Sequence, residues 1–108
     1  MDASLRRYVD AVIAGEDGAL ALLAAALRIH ERRDEALDEL ARHSHPLVRR
    51  AVMDSLVGRT DPAAERHVRA GLADEEDEVR WSAARLLAAH APWCSEDDVR
   101  ALSFDGDW

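Results

Sequence analysis

The chain reads as an all-α protein of stacked antiparallel helical hairpins, and three observations predict it. The first is an internal repeat. Val48-Arg49 and Val79-Arg80 lie 31 residues apart, and the same offset aligns Leu56 with Leu87, Glu65 with Glu96, and Val68-Arg69-Ala70 with Val99-Arg100-Ala101. That period holds two helices and two turns, and so short a unit can bury its apolar face only against the next one. The second is composition: alanine, leucine and arginine dominate, aromatics make up 5% of the chain, and β-branched runs are too short for strands. The third is apolar residues at helical spacing, punctuated by Pro46 and Pro62. Together they predict a short α-solenoid of about six or seven helices.

Each element follows from its local pattern. Leu5, Tyr8, Val9, Val12 and Ile13 recur at helical spacing ahead of Gly15, which predicts a first, capping helix over residues 2–14. Asp17 stands where it can accept hydrogen bonds from the free amides of a second helix. In that helix Leu20, Leu23, Leu27 and several alanines leave almost no polar face, which predicts a central position. The charged run His30-Glu31-Arg32-Arg33-Asp34 interrupts the pattern with a turn near Arg32, or with a bend in one continuous helix. Ala36, Leu37, Leu40 and Ala41 then restore it on a third helix.

Proline fits the first turn of a helix and disrupts an interior, so Pro46 and Pro62 start helices over 46–57 and 62–73, with Asp61 as an N-cap and Gly58 as the break between. Val48, Val52 and Leu56 form the apolar stripe of one; Ala64, Val68 and Leu72 form that of the other. The acids Asp74 to Glu78 open a helix carrying Val79, Ala83, Leu86 and Leu87, where they face the positive end of its dipole. Pro92 ends that element, and Ser95 with Asp98 has capping-box spacing for a last short helix bearing Val99 and Leu102. The organisation expected is one domain over 1–108: capping helices and a degenerate repeat over 1–42, repeats over 43–73 and 74–103, and a tail over 104–108.

Charge narrows the partners. The chain carries a formal −8, with 6 Arg against 9 acids in residues 1–42, 5 against 3 in 43–73, and 3 against 10 in 74–108. Such a balance repels a phosphate backbone and steers a basic protein surface toward the C-terminal half. Nucleic acid is therefore a poor expected partner. Every cation apart from histidine is arginine, a usage that fits codon bias first and arginine's bidentate pairing with carboxylates second. No stretch approaches the roughly 20 apolar residues of a membrane span, and the start Met1-Asp2-Ala3-Ser4-Leu5-Arg6-Arg7 lacks the order of a secretory signal. A cytoplasmic location, away from membranes, is expected. Cys94 is the sole cysteine, so no intrachain disulfide forms and nothing supports redox chemistry.

From about residue 40 to 102 the chain resembles a HEAT-repeat protein. The clearest stretch is Leu72-Ala73-Asp74-Glu75-Glu76-Asp77-Glu78-Val79-Arg80-Trp81-Ser82-Ala83-Ala84-Arg85-Leu86-Leu87. It follows the pattern of a leucine, a turn aspartate, Val-Arg, small residues and a closing leucine. The preceding copy, Leu40-Ala41-Arg42-His43-Ser44-His45-Pro46-Leu47-Val48-Arg49-Arg50-Ala51-Val52, keeps Val-Arg but has His43 in place of the turn aspartate, which is expected to weaken one turn contact. Residues 1–39 show the periodicity without the signature. Physically, an arginine beside a buried valine reaches turn carbonyls or an aspartate, which makes Arg49, Asp74 and Arg80 candidates for a structural ladder. The resemblance implies that the second helix of each pair lines a concave side. That side presents Glu35, Asp38, Glu39 and Arg42, then Glu65, Arg66 and Arg69, then Glu96, Asp97 and Arg100.

Catalytic constellations are weak. His43, His45, His67, His90 and Cys94 are the residues that would suggest a metal, and His30-Glu31 stands alone; no helix carries two such ligands at i and i+3 or i+4, so no metal is expected. His90 and Cys94 are the one local nucleophile-and-base pair, and Pro92 interrupts the helix between them. HEAT-like di-iron hydroxylases use several His-Glu pairs, where this chain has His30-Glu31 alone. HEAT-like DNA glycosylases would need a basic concave face, and bilin-lyase relatives work as larger or paired chains. Rigid aromatics anchor many interfaces, and Trp81 lies off the apolar stripe; Trp93, Phe104 and Trp108 read as cover for the last repeat.

The functional expectation is a non-catalytic, cofactor-free, bacterial adaptor or inhibitor that binds another protein, one with a basic surface being favoured by charge. Its partner-binding candidates are Glu65, Arg66, Arg69, Trp81, Glu96, Asp97 and Arg100. One version is an immunity protein that neutralises a basic toxin or nuclease. The competing class, a HEAT-like enzyme or ligand-binding protein, requires ionisable residues to converge in a pocket.

Overall fold

A computed structural model describes residues 3–93. Among them are six α-helices: α1 Ala3–Ile13, α2 Ala19–Ile29, α3 Arg33–Leu40, α4 Pro46–Ser55, α5 Pro62–Gly71 and α6 Asp77–Ala89. A 3-10 turn follows at Ala91–Trp93, and no described residue lies in a strand. The all-α class predicted from the sequence is the one adopted. The helix predicted after Ser95, the tail, Cys94, and the candidates Glu96, Asp97 and Arg100 lie outside the described residues. None of the described helices is long and apolar enough to cross a membrane.

The chain divides into two compact units, Met1–Leu56 and Val57–Trp108. The division falls between α4 and α5, the two helices that the repeat over 43–73 would join, beside Gly58, whose φ of 84° places it in the left-handed region open to glycine.

In the N-terminal unit α2 packs on α1, α3 and α4, while α4 also meets α1 and α3. Leu5, Val9 and Val12 from α1, Leu23 and Leu27 from α2, Leu37 and Leu40 from α3, and Val48, Val52 and Leu56 at α4 form its buried core. Each such side chain contributes about 1.5–3 kcal/mol of burial. Buried Ala19, Ala24 and Ala51 let the helices approach closely. The α1–α2 link runs through Gly15 and Gly18, both at positive φ. Gly18, rather than the predicted Asp17, is the N-cap of α2, with no side-chain capping bond. The turn itself needs a left-handed residue at that position, which glycine supplies without strain.

In the C-terminal unit α5 packs on α6, and the 3-10 turn returns onto α6. Ala64 and Val68 of α5 with Val79, Ala83 and Leu87 of α6 form its buried core, and His67 is among the buried polar residues. Trp93 is buried too, and His90 meets its ring edge-on at 4.7 Å. Arg69 on α5 donates to the Trp93 carbonyl at 2.7 Å, so a charge-assisted bond anchors the turn to α5. Pro46 and Pro62 stand at the first turns of α4 and α5, where their missing N–H groups would have had no helical partner.

Candidate functional site

The repeated residues close two turns in the same way. Arg49 donates from Nη1 to the His43 carbonyl at 2.7 Å, and Arg80 donates from Nη1 to the Asp74 carbonyl at 2.7 Å, six residues back in both cases. Before α6 the Glu76 amide donates to Asp74 Oδ1 at 2.9 Å; before α4 the His45 amide donates to His43 Nδ1 at 3.0 Å. The histidine that stands in place of the turn aspartate thus makes the same hydrogen bond, at the position where the sequence predicts a weakened contact. Nδ1 of histidine and Oδ1 of aspartate are both bonded to Cγ, so each acceptor reaches equally far from its backbone. Arg49 also reaches the Ser44 carbonyl at 3.0 Å and is 8% exposed; Arg80 pairs with Asp77. These bonds close each turn onto its own helix.

The partner-binding candidates on α5 and α6 are partly committed elsewhere. Glu65 and Arg69 form an ion pair at 2.9 Å one helical turn apart, and the same guanidinium holds the Trp93 carbonyl. Arg66 is exposed on α5. Trp81 is 44% exposed, with the Arg85 guanidinium carbon 4.8 Å from its ring centroid, a cation–π contact along one face of α6. Ahead of α5, Arg59 grips both carboxylate oxygens of Asp61 at 2.9 and 2.7 Å. Asp61 occupies the predicted N-cap position, where its backbone carbonyl accepts from the Glu65 amide at 3.1 Å and its side chain makes no capping bond. The Arg59 hydrogen bond holds its carboxyl down at about 2, against a smaller upward push from burial.

An open groove of about 820 Å³ lies wholly in the N-terminal unit, between α1, α2 and α3. Its origin is in α2. One stripe of that helix, Ala19, Leu23, Ala24 and Leu27, is buried; a second, Leu22, Ala25, Ala26 and Ile29, lines the groove. At 100° per residue the stripes stand roughly 135° apart around the axis. Leu22 is 55% exposed and Ile29 85%. The expectation that α2 is central is thus half correct, because α2 has three neighbours and still leaves one apolar stripe uncovered. Ser4 and Tyr8 of α1 form one wall. The other is α3, whose eight residues turn Ala36, Leu37 and Leu40 inward and leave Glu35 and Glu39 at the rim. Glu31 continues that acidic edge, against a single arginine, Arg32.

Sequence reasoning missed this groove. The signal was present in the lack of a polar face on α2, which burial on all sides explained equally well. Among the described residues, no group of three or more His, Cys, Asp or Glu side chains gathers as a metal site. No protein-family model, curated protein or solved structure matches the chain.

Proposed function

We propose that the chain is a protein-binding module of HEAT-like repeats, acting noncovalently as an adaptor or inhibitor, with the α1–α2–α3 groove as its principal contact surface. The observation that carries this reading is the exposed stripe Leu22, Ala25, Ala26 and Ile29, two turns of contiguous apolar surface rimmed by charge. Singly exposed apolar residues are ordinary on a protein surface, whereas a contiguous apolar patch rimmed by polar groups marks an interaction site. The HEAT-like assignment rests on the Val-Arg repeat and on the matching turn bonds at Arg49 and Arg80. Trp81 with Arg85 offers a second, smaller contact on α6. An acidic inhibitor of a basic toxin or nuclease is one form of this proposal, favoured by the net charge of −8.

The test compares proteins recovered from native cells with the wild-type chain and with a Leu22→Ser/Ile29→Ser double variant. Both positions are exposed, so the variant keeps its helical circular dichroism. Loss of a specific partner by this variant, with retention by Glu75→Arg/Glu78→Arg, is the expected result. Equal recovery by wild type and the groove variant would remove the groove from the binding surface.

A further inference from the structure

We infer that the occupant of the groove is an amphipathic α-helix with a basic polar face, supplied by another protein. The inference rests on the protein-binding reading above and adds the chemistry of the partner.

Helical form follows from the floor. Leu22, Ala25, Ala26 and Ile29 stand at i, i+3, i+4 and i+7, a stripe about 10 Å long at 1.5 Å per residue, which matches the seam between two packed helices. Alanines at its centre allow an incoming backbone to approach to the usual interaxial distance of about 8–10 Å. A partner segment laid on leucine, alanine and isoleucine must satisfy its own amides and carbonyls. A helix does so internally. An extended segment would need a strand edge to pair with, and no described residue lies in a strand.

Charge selects the sign. Glu35 and Glu39 are one helical turn apart on α3, and Glu31 precedes them at the same interval. A helix seated on the α2 stripe turns one polar flank toward that ridge, where lysine or arginine at i and i+4 would face successive carboxylates. A second copy of this chain is the wrong occupant. With 22 acidic residues against 14 arginines, two copies each of net charge −8 repel one another on approach.

The experiment titrates the full-length protein into two fluorescein-labelled peptides of about 18 residues, five helical turns, with identical leucine stripes. One carries lysine and arginine on its polar face, the other glutamate. Anisotropy should show the basic peptide binding at least about tenfold tighter. Glu35→Arg/Glu39→Arg should lose about tenfold or more, as should Leu22→Ser/Ile29→Ser, while Glu75→Arg/Glu78→Arg, the same change in net charge elsewhere, should bind as wild type. Three results would overturn the inference: equal binding of both peptides, equal weakening by the Glu75/Glu78 and Glu35/Glu39 reversals, or a concentration-dependent dimer that Ile29→Ser disperses. If the groove variant loses its cellular partner while the basic peptide shows no preference, the partner chemistry is wrong and the binding surface stands. If it keeps that partner, the protein-binding reading of the groove fails first.

Discussion

The turns that lead into α4 and α6 are two copies of one device with different side chains. Both place an arginine on the carbonyl six residues back at 2.7 Å, and both cap the amide two residues on with a side-chain acceptor. The acceptor is a histidine nitrogen in one and an aspartate oxygen in the other. Their surroundings differ as well: Arg49 is buried against two carbonyls, whereas Arg80 has 38% of its side chain in water and leans on Asp77. The comparison teaches that backbone geometry demands an acceptor at a fixed reach rather than a residue type. His30 and His45 repeat the point, each accepting at Nδ1 the amide two residues ahead, from Arg32 at 3.1 Å and Leu47 at 3.2 Å.

Burial should make the two arginines unequal. Arg49→Ala leaves two part-buried carbonyls without their charged donor and should lose about 3 kcal/mol in urea denaturation followed by circular dichroism. Arg80→Ala should lose about 1 kcal/mol or less, because water replaces the guanidinium. Equal losses would show that exposure does not distinguish the copies. The acceptor exchange is the next sharper probe. His43→Ala should destabilise by about 1 kcal/mol, comparable to the loss of a helix cap, whereas His43→Asp and Asp74→His should each stay within about 0.5 kcal/mol of wild type. If His43→Asp behaves like His43→Ala, equal reach from Cγ is not what makes the two residues interchangeable.

The turn into α5 provides the smallest effect and the contrast to both copies. There Arg59 holds the Asp61 carboxylate, lowering its pKa from 3.8 to about 2. A depressed carboxylate stabilises the folded state above its unfolded value, and that contribution fades as pH falls from about 4 through 2. Arg59→Ala should therefore flatten the acid limb of a stability–pH curve over that window and leave the slope above pH 5 unchanged. An unchanged acid limb would mean that the pair contributes nothing measurable, as solvent screening of a partly exposed ion pair allows.

Much of this architecture was legible in the residues. Pro46 and Pro62 announced two helix starts because a ring without an N–H fits only the first turn, and the 31-residue offset predicted paired arginines that make paired bonds. Less legible were features that depend on atoms rather than residue types. Asp17 had the right chemistry for a cap, yet the link needed the left-handed backbone of Gly18 one position later. His43 departs from the pattern in residue type, yet its Nδ1 accepts the amide two residues on just as the Asp74 carboxylate does.

Local chemistry along the chain dictated helices, their starts and the recurrence of their apolar stripes, since propensity, ring constraint and 3.6-residue periodicity act within a few residues. Packing chose which stripe of α2 would be covered. A helix apolar on nearly every side carries no mark of where its neighbours will stop, and here α3 ends after eight residues with its glutamates outward. The uncovered leucine and isoleucine, and with them the proposed binding surface, exist because three helices surround α2 without enclosing it.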